Sequence, residues 1–76
     1  MISFERIEWN PRVCNGNPII KGTRIPLGII LEQIAEGSTW DQLLRDYPEL
    51  NREDIRAALF FAKANIEHSD MREVHA

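Results

Sequence analysis

The sequence predicts a mainly α fold: a three-helix, helix-turn-helix (homeodomain-like) bundle preceded by a short β-strand or hairpin portion. Three observations predict it. After Pro26, apolar residues recur at helical spacing in three separate windows. The breaks between those windows are a few residues long, and each carries a stop or start signal. Before Pro26 the pattern is short apolar runs punctuated by Asn, Gly and Pro. Three helices joined so closely pack crosswise.

At 76 residues the chain is expected to be one domain, with residues 1–26 as short strands and a GTRIP turn, 27–66 as the trihelical core and 67–76 as a polar tail. So short a chain buries roughly 60% of its unfolded surface, and a partner or a second copy would add to its stability. In "ISFERIEW", Ile2 and Phe4 alternate before the parity shifts to Ile7 and Trp9, which predicts one or two short strands with an irregularity near Arg6. "NPRVCNGNP" reads as a loop. "PIIKGTRIP" sets apolar runs on either side of Lys21-Gly22 and reads as a tight turn or hairpin, with Gly22 free to take a positive φ.

Leu27, Ile30, Leu31 and Ile34 form one face of a first helix that Gly37 ends as the left-handed residue. Ser38 is expected to cap a second helix, with Asp41 at its N3 position; Trp40, Leu43, Leu44 and Tyr47 give it an apolar face and Pro48 stops it. Asn51 is expected to cap a third helix with Asp54 at N3, Leu50 and Ile55 forming a hydrophobic staple. Ile55, Ala58, Leu59, Ala62 and Ile66 are its expected inner face.

"GNPIIKGTRIPL" tests for an enzyme. A phosphate-binding loop ends in Gly-Lys-Ser/Thr at a helix start, after a buried parallel strand. Here Lys21 precedes Gly22, and the chain is too short for the surrounding sheet. The run is therefore a turn, in which Thr23 bonds the backbone, Arg24 ties loop to helix or partner and Pro26 presets φ ahead of the helix. His68 and His75 lack the spacing of a helical metal pair. The single Cys14 reads as small apolar filler, without a histidine nearby and without an internal disulfide partner, as in a reducing cytoplasm. No catalytic, metal or cofactor site is expected. No apolar run is long enough for a membrane span, and no signal peptide is visible.

The net charge of −3 opposes general nucleic-acid binding, so any contact must use a local stripe. Residues 27–50 carry one basic and five acidic side chains, whereas residues 1–26 carry four basic and two acidic. On the third helix Arg52, Arg56 and Lys63 share one flank beside Leu59, the candidate DNA-contacting stripe. Acidic Glu53 and Asp54 at the helix start work against it. Opposite the expected core, Ala57, Phe60 and Ala64 form a smooth apolar patch with Glu53. It is either buried under the N-terminal strands or an interface with a second protomer or another protein.

The succession "GNPIIKGTRIP", "GS", "YPEL" and "DIRAAL" resembles family 433 among the domains of unknown function, over roughly residues 4–64. Gly16, Pro18, Gly22, Thr23, Arg24 and Pro26 carry the first part of the signature. The resemblance implies a homeodomain-like trihelical fold with a short β portion. It also implies an antitoxin of a prokaryotic type II toxin–antitoxin pair, whose partner is a PIN-like nuclease toxin. Autoregulation by DNA binding as a homodimer is a further expectation, with the β portion or the Phe60 face holding the two copies and the tail from Glu67 docking the toxin. The alternative is a protein-interaction adaptor of the same shape that binds no DNA.

Overall fold

The computed structural model describes residues 5–10, 12 and 16–68. Expectations that fall on Ile2, Phe4, Cys14, His75 and the tail from Ser69, and on the side chain of His68, lie outside what it describes. The elements follow in the order β1 (Ile7–Glu8), β2 (Ile19–Ile20), α1 (Leu27–Ala35), α2 (Trp40–Asp46) and α3 (Arg52–His68).

β1 and β2 pair antiparallel, with Ile7 opposite Ile20 and Glu8 opposite Ile19. A tight turn follows β2, in which Thr23 donates its backbone N–H to the Ile20 carbonyl at 3.0 Å. Gly22 supplies the positive φ of +82° that the turn requires. Thr23 locks the turn a second time: its hydroxyl donates to the Ile20 carbonyl at 2.7 Å and accepts the Ile25 N–H at 3.0 Å. The chain then returns along β2, bridging Ile19 to Pro26. Leu27 donates to the Pro18 carbonyl at 3.0 Å, so the first residue of α1 is tied to the sheet.

The helices end and begin on local chemistry. After α1, the Gly37 N–H donates to Ile34 and the Ser38 N–H to Gln33, at 3.0 and 2.9 Å. With Gly37 at φ +103°, these are the two crossed bonds of a Schellman stop. The Ser38 hydroxyl turns back to donate to the Gln33 side chain at 3.2 Å, and the cap of α2 falls one residue later than the sequence suggests. Thr39 accepts the Gln42 N–H at 3.1 Å, and the Gln42 side chain accepts the Thr39 N–H at 2.7 Å, a closed capping box. Asp41, expected at N3, instead pairs with Arg52 of α3 at 2.6 Å.

The core lies where the sheet and all three helices meet. Ile20, Ile25, Leu27, Ile30, Leu43, Leu50, Ile55 and Ala58 are buried together there. Ile7, Ile34, Trp40, Leu44, Tyr47 and Phe61 close its rim. The inner face of α3 differs from expectation. Leu59 is 36% exposed and Ile66 59% exposed, while Asp54 and Phe61 turn inward. The buried arc is therefore rotated toward Asp54, because that carboxylate is drawn in by Arg6 and Asn51. Ile66 lies beyond the reach of the shorter α1 and α2, at the far end of a 17-residue helix.

Candidate functional site on the third helix

α3 starts on a doubly bonded cap. Asn51 accepts the Asp54 N–H at 2.9 Å with its side chain, and Asp54 accepts the Asn51 N–H at 3.1 Å in return. This is the cap that the spacing of Asn51 and Asp54 predicts. The second carboxylate oxygen of Asp54 takes Arg6 at 3.0 Å, which anchors the residues before β1 to the start of α3. Nothing in the spacing of the sequence signals the Arg6–Asp54 pair, since the two stand 48 residues apart.

The structure places the three candidate DNA-contacting residues on the surface of α3, and each already faces an acid. Arg52 bonds Asp41 at 2.6 Å and lies over the ring of Trp40, 5.8 Å from its centre. Arg56 stands 3.9 Å from Glu53, and Lys63 bonds Glu67 at 2.7 Å. All six of these charged side chains are more than half exposed, so each pair is weak, on the order of 0–1 kcal/mol. They are available to another anion, but they present a mixed field rather than a positive stripe.

The apolar side of α3 is the more distinctive surface. Phe60 is 44% exposed, with half-buried Ala57 and Ala64 one turn before and after it. Leu59 and Ile66 extend the patch around the helix, so the two residues that leave the expected core join the surface instead. A shallow depression lined by Arg56, Leu59, Phe60 and Lys63 lies on one side of the phenyl ring. A second, lined by Glu5, Arg6, Glu53, Arg56, Ala57 and Phe60, runs toward the segment before β1. Phe60 stands open beside Glu5 and Arg6 rather than covered by them. The sequence missed Leu59 and Ile66 as surface residues because its helical period cannot fix how the helix is rotated.

The GTRIP residues serve the junction. Gly22, Thr23 and Pro26 hold the turn and the entry to α1, Pro18 receives Leu27, and Arg24 stands exposed between Thr23 and Ile25. Gly16 accepts a hydrogen bond from the indole N–H of Trp9. Among the described residues no three His, Cys, Asp or Glu side chains gather as a metal site, and no helix is long and apolar enough to cross a membrane.

A model of the family "Protein of unknown function (DUF433)" matches residues 7–62, most of the chain. The chain belongs to the DUF433 family. It is similar to the uncharacterized protein y4eO of Sinorhizobium fredii, with 33% identity over 61 residues that cover 80% of this chain and 28% of that protein. It therefore spans little more than a quarter of that curated relative. It is also similar to a crystal structure of a DUF433 member protein from Anabaena variabilis, with 35% identity and a TM-score of 0.77, covering 82% of this chain and 61% of the other. That likeness extends to the architecture: three helices behind a short antiparallel pair of strands. The DUF433 match ends at Ala62, so it takes in Phe60 and leaves out Ile66.

Proposed function

We propose that the protein is an antitoxin-type binding protein that masks a PIN-like nuclease toxin with the outer face of α3, in the cytoplasm. One observation carries the reading: three of the four exposed large apolar side chains among the described residues, Leu59, Phe60 and Ile66, stand on a single helix, the fourth being Trp9. Aromatic side chains exposed among small neighbours anchor protein interfaces, and the flanking charges of Glu53, Arg56, Lys63 and Glu67 supply a polar rim. The toxin as partner follows from the family resemblance. The test is co-expression with the product of the adjacent gene. The wild-type chain should rescue growth and co-purify with that product. Phe60→Glu should do neither while remaining folded; a variant that still rescues removes this face from the function.

Operator binding is the accompanying activity, favoured by the exposure of Arg52, Arg56 and Lys63 along one flank of the third helix. Their acidic partners hold them weakly enough for phosphates to compete. Operator affinity should then fall steeply with salt, and Lys63→Ala should flatten that dependence by a slope of about 1. A chain that binds its toxin and shows no salt-dependent DNA affinity is the adaptor instead.

A further inference from the structure

Along α3, Arg56, Leu59, Phe60 and Lys63 fall at i, i+3, i+4 and i+7, so they share one face. They line a shallow depression to which no other described residue contributes. Leu59 and Phe60 are its two apolar sides, both exposed, and Arg56 and Lys63 close its ends. At a rise of about 1.5 Å per residue, the two ends stand roughly 10 Å apart along the axis. Arginine and lysine stems cover apolar surface while their charges stay in water, so each end offers a methylene wall and a positive head. Among the described residues no acid lines the depression. Glu53 and Glu67 face Arg56 and Lys63 from one turn further out on the same helix, at 3.9 and 2.7 Å. At 3.9 Å Arg56 spends no hydrogen bond on Glu53, and Lys63 spends one of its three donors on Glu67. All four side chains are more than half exposed, so both cations keep donors for a further carboxylate.

We propose that this depression docks an acidic amphipathic helix of the partner protein. An apolar side chain enters between Leu59 and Phe60, and carboxylates one turn before and one turn after it reach Arg56 and Lys63. On a helix laid along α3, residues three or four positions to either side of such an anchor stand about 5 Å from it along the axis. That is the half-length of the depression. The partner helix fits in either direction, because both ends of the depression carry the same sign. A basic segment is repelled at both ends, and a neutral one gains the apolar contact alone.

A second copy of this chain does not fit the same place. Set antiparallel over the depression, Arg56 meets Lys63 at both ends; set parallel, each meets itself. The inference rests on the reading of α3 as the partner face, and it names the chemistry of the segment that the partner must present.

The probe is a stapled helical peptide of about 15 residues, long enough to hold its helix, with Leu at its centre and Glu one turn to either side. Two companions carry Gln or Lys at the Glu positions. Each is titrated into the full chain while amide chemical shifts are followed by nuclear magnetic resonance. The Glu peptide should move the amides of Leu59, Phe60 and Lys63 to saturation, about tenfold more tightly than the Lys peptide, with a preference that shrinks as salt is added. Arg56→Gln combined with Lys63→Gln, both at exposed positions, should erase the preference for Glu over Gln and leave the remaining amide shifts in place. Equal affinity for the three peptides overturns the proposal, as does the absence of saturable shifts or their appearance away from α3. A duplex oligonucleotide that moves the same amides at lower concentration than the Glu peptide overturns it in favour of nucleic acid. If Phe60→Glu abolishes rescue while the peptides show no charge preference, the partner face stands and this inference falls; a Glu-selective depression in a chain whose Phe60→Glu variant still rescues gives the reverse.

Discussion

One carboxylate oxygen of Asp54 closes the cap of α3 on the Asn51 N–H, and the other takes the Arg6 guanidinium. Asp54 is buried, with a relative exposure of 6%, so its carboxylate depends on the groups that bond it. Asp54→Ala should lower the unfolding free energy by about 2–3 kcal/mol, a lost cap plus a lost charged hydrogen bond. Arg6→Ala should lower it by only about 1 kcal/mol, because the arginine is nearly half exposed and solvent screens much of the pair. Denaturant titration of the two single variants and the double should show less than additive loss. At the next cap, Thr39→Ala should cost about 1 kcal/mol and Ser38→Ala a few tenths, since only Thr39 accepts the Gln42 amide. Equal losses would place the start of α2 wrongly. Gly37→Ala meets no atom within 4 Å, so its expected cost of about 1 kcal/mol comes from backbone conformation alone.

At the scale of the elements, the three helices were legible because each has an apolar period and a stop or start signal: Gly37 after α1, Pro48 after α2 and the Asn51 cap before α3. The tight turn at Gly22 was legible from its glycine and threonine. Two features were not. Ser38 and Thr39 are both good caps with an acceptor three residues on, and the choice falls to Thr39 because the end of α1 turns Ser38 back toward Gln33, with both its N–H and its hydroxyl. The rotation of α3 was hidden for a different reason: a buried aspartate with a distant arginine looks in sequence like one more surface acid. Half the candidate binding face, Phe60 with its alanines, was readable from the period; Leu59 and Ile66 were not. The rotation makes a testable contrast along α3. Ile55→Ala should cost roughly 2–5 kcal/mol as a cavity in the core, whereas Leu59→Ala, on the exposed flank, should cost less than about 1 kcal/mol by thermal melting.

For the molecule as a whole, marginal stability and assembly are linked. A domain of this size holds a net stability on the order of 5 kcal/mol, so a partner that binds only the folded chain raises the melting temperature by mass action. Melting curves taken with increasing amounts of the adjacent gene's product should therefore move upward for the wild type and stay fixed for Phe60→Glu. The overall charge of −3 sets no attractive field for DNA. Any operator affinity must come from the local flank of Arg52, Arg56 and Lys63 on α3.

The two tryptophans lie in unlike surroundings. Trp9 stands in water on the sheet edge, while Trp40 is packed against the core beneath Arg52. Their emission should separate accordingly, with a long-wavelength component from Trp9 that iodide quenches and a shorter-wavelength one from Trp40 that it does not. A single cuvette can then follow two regions at once, the red component reporting on the end of β1 and the blue one on melting of the interior, with Trp9→Phe to assign them.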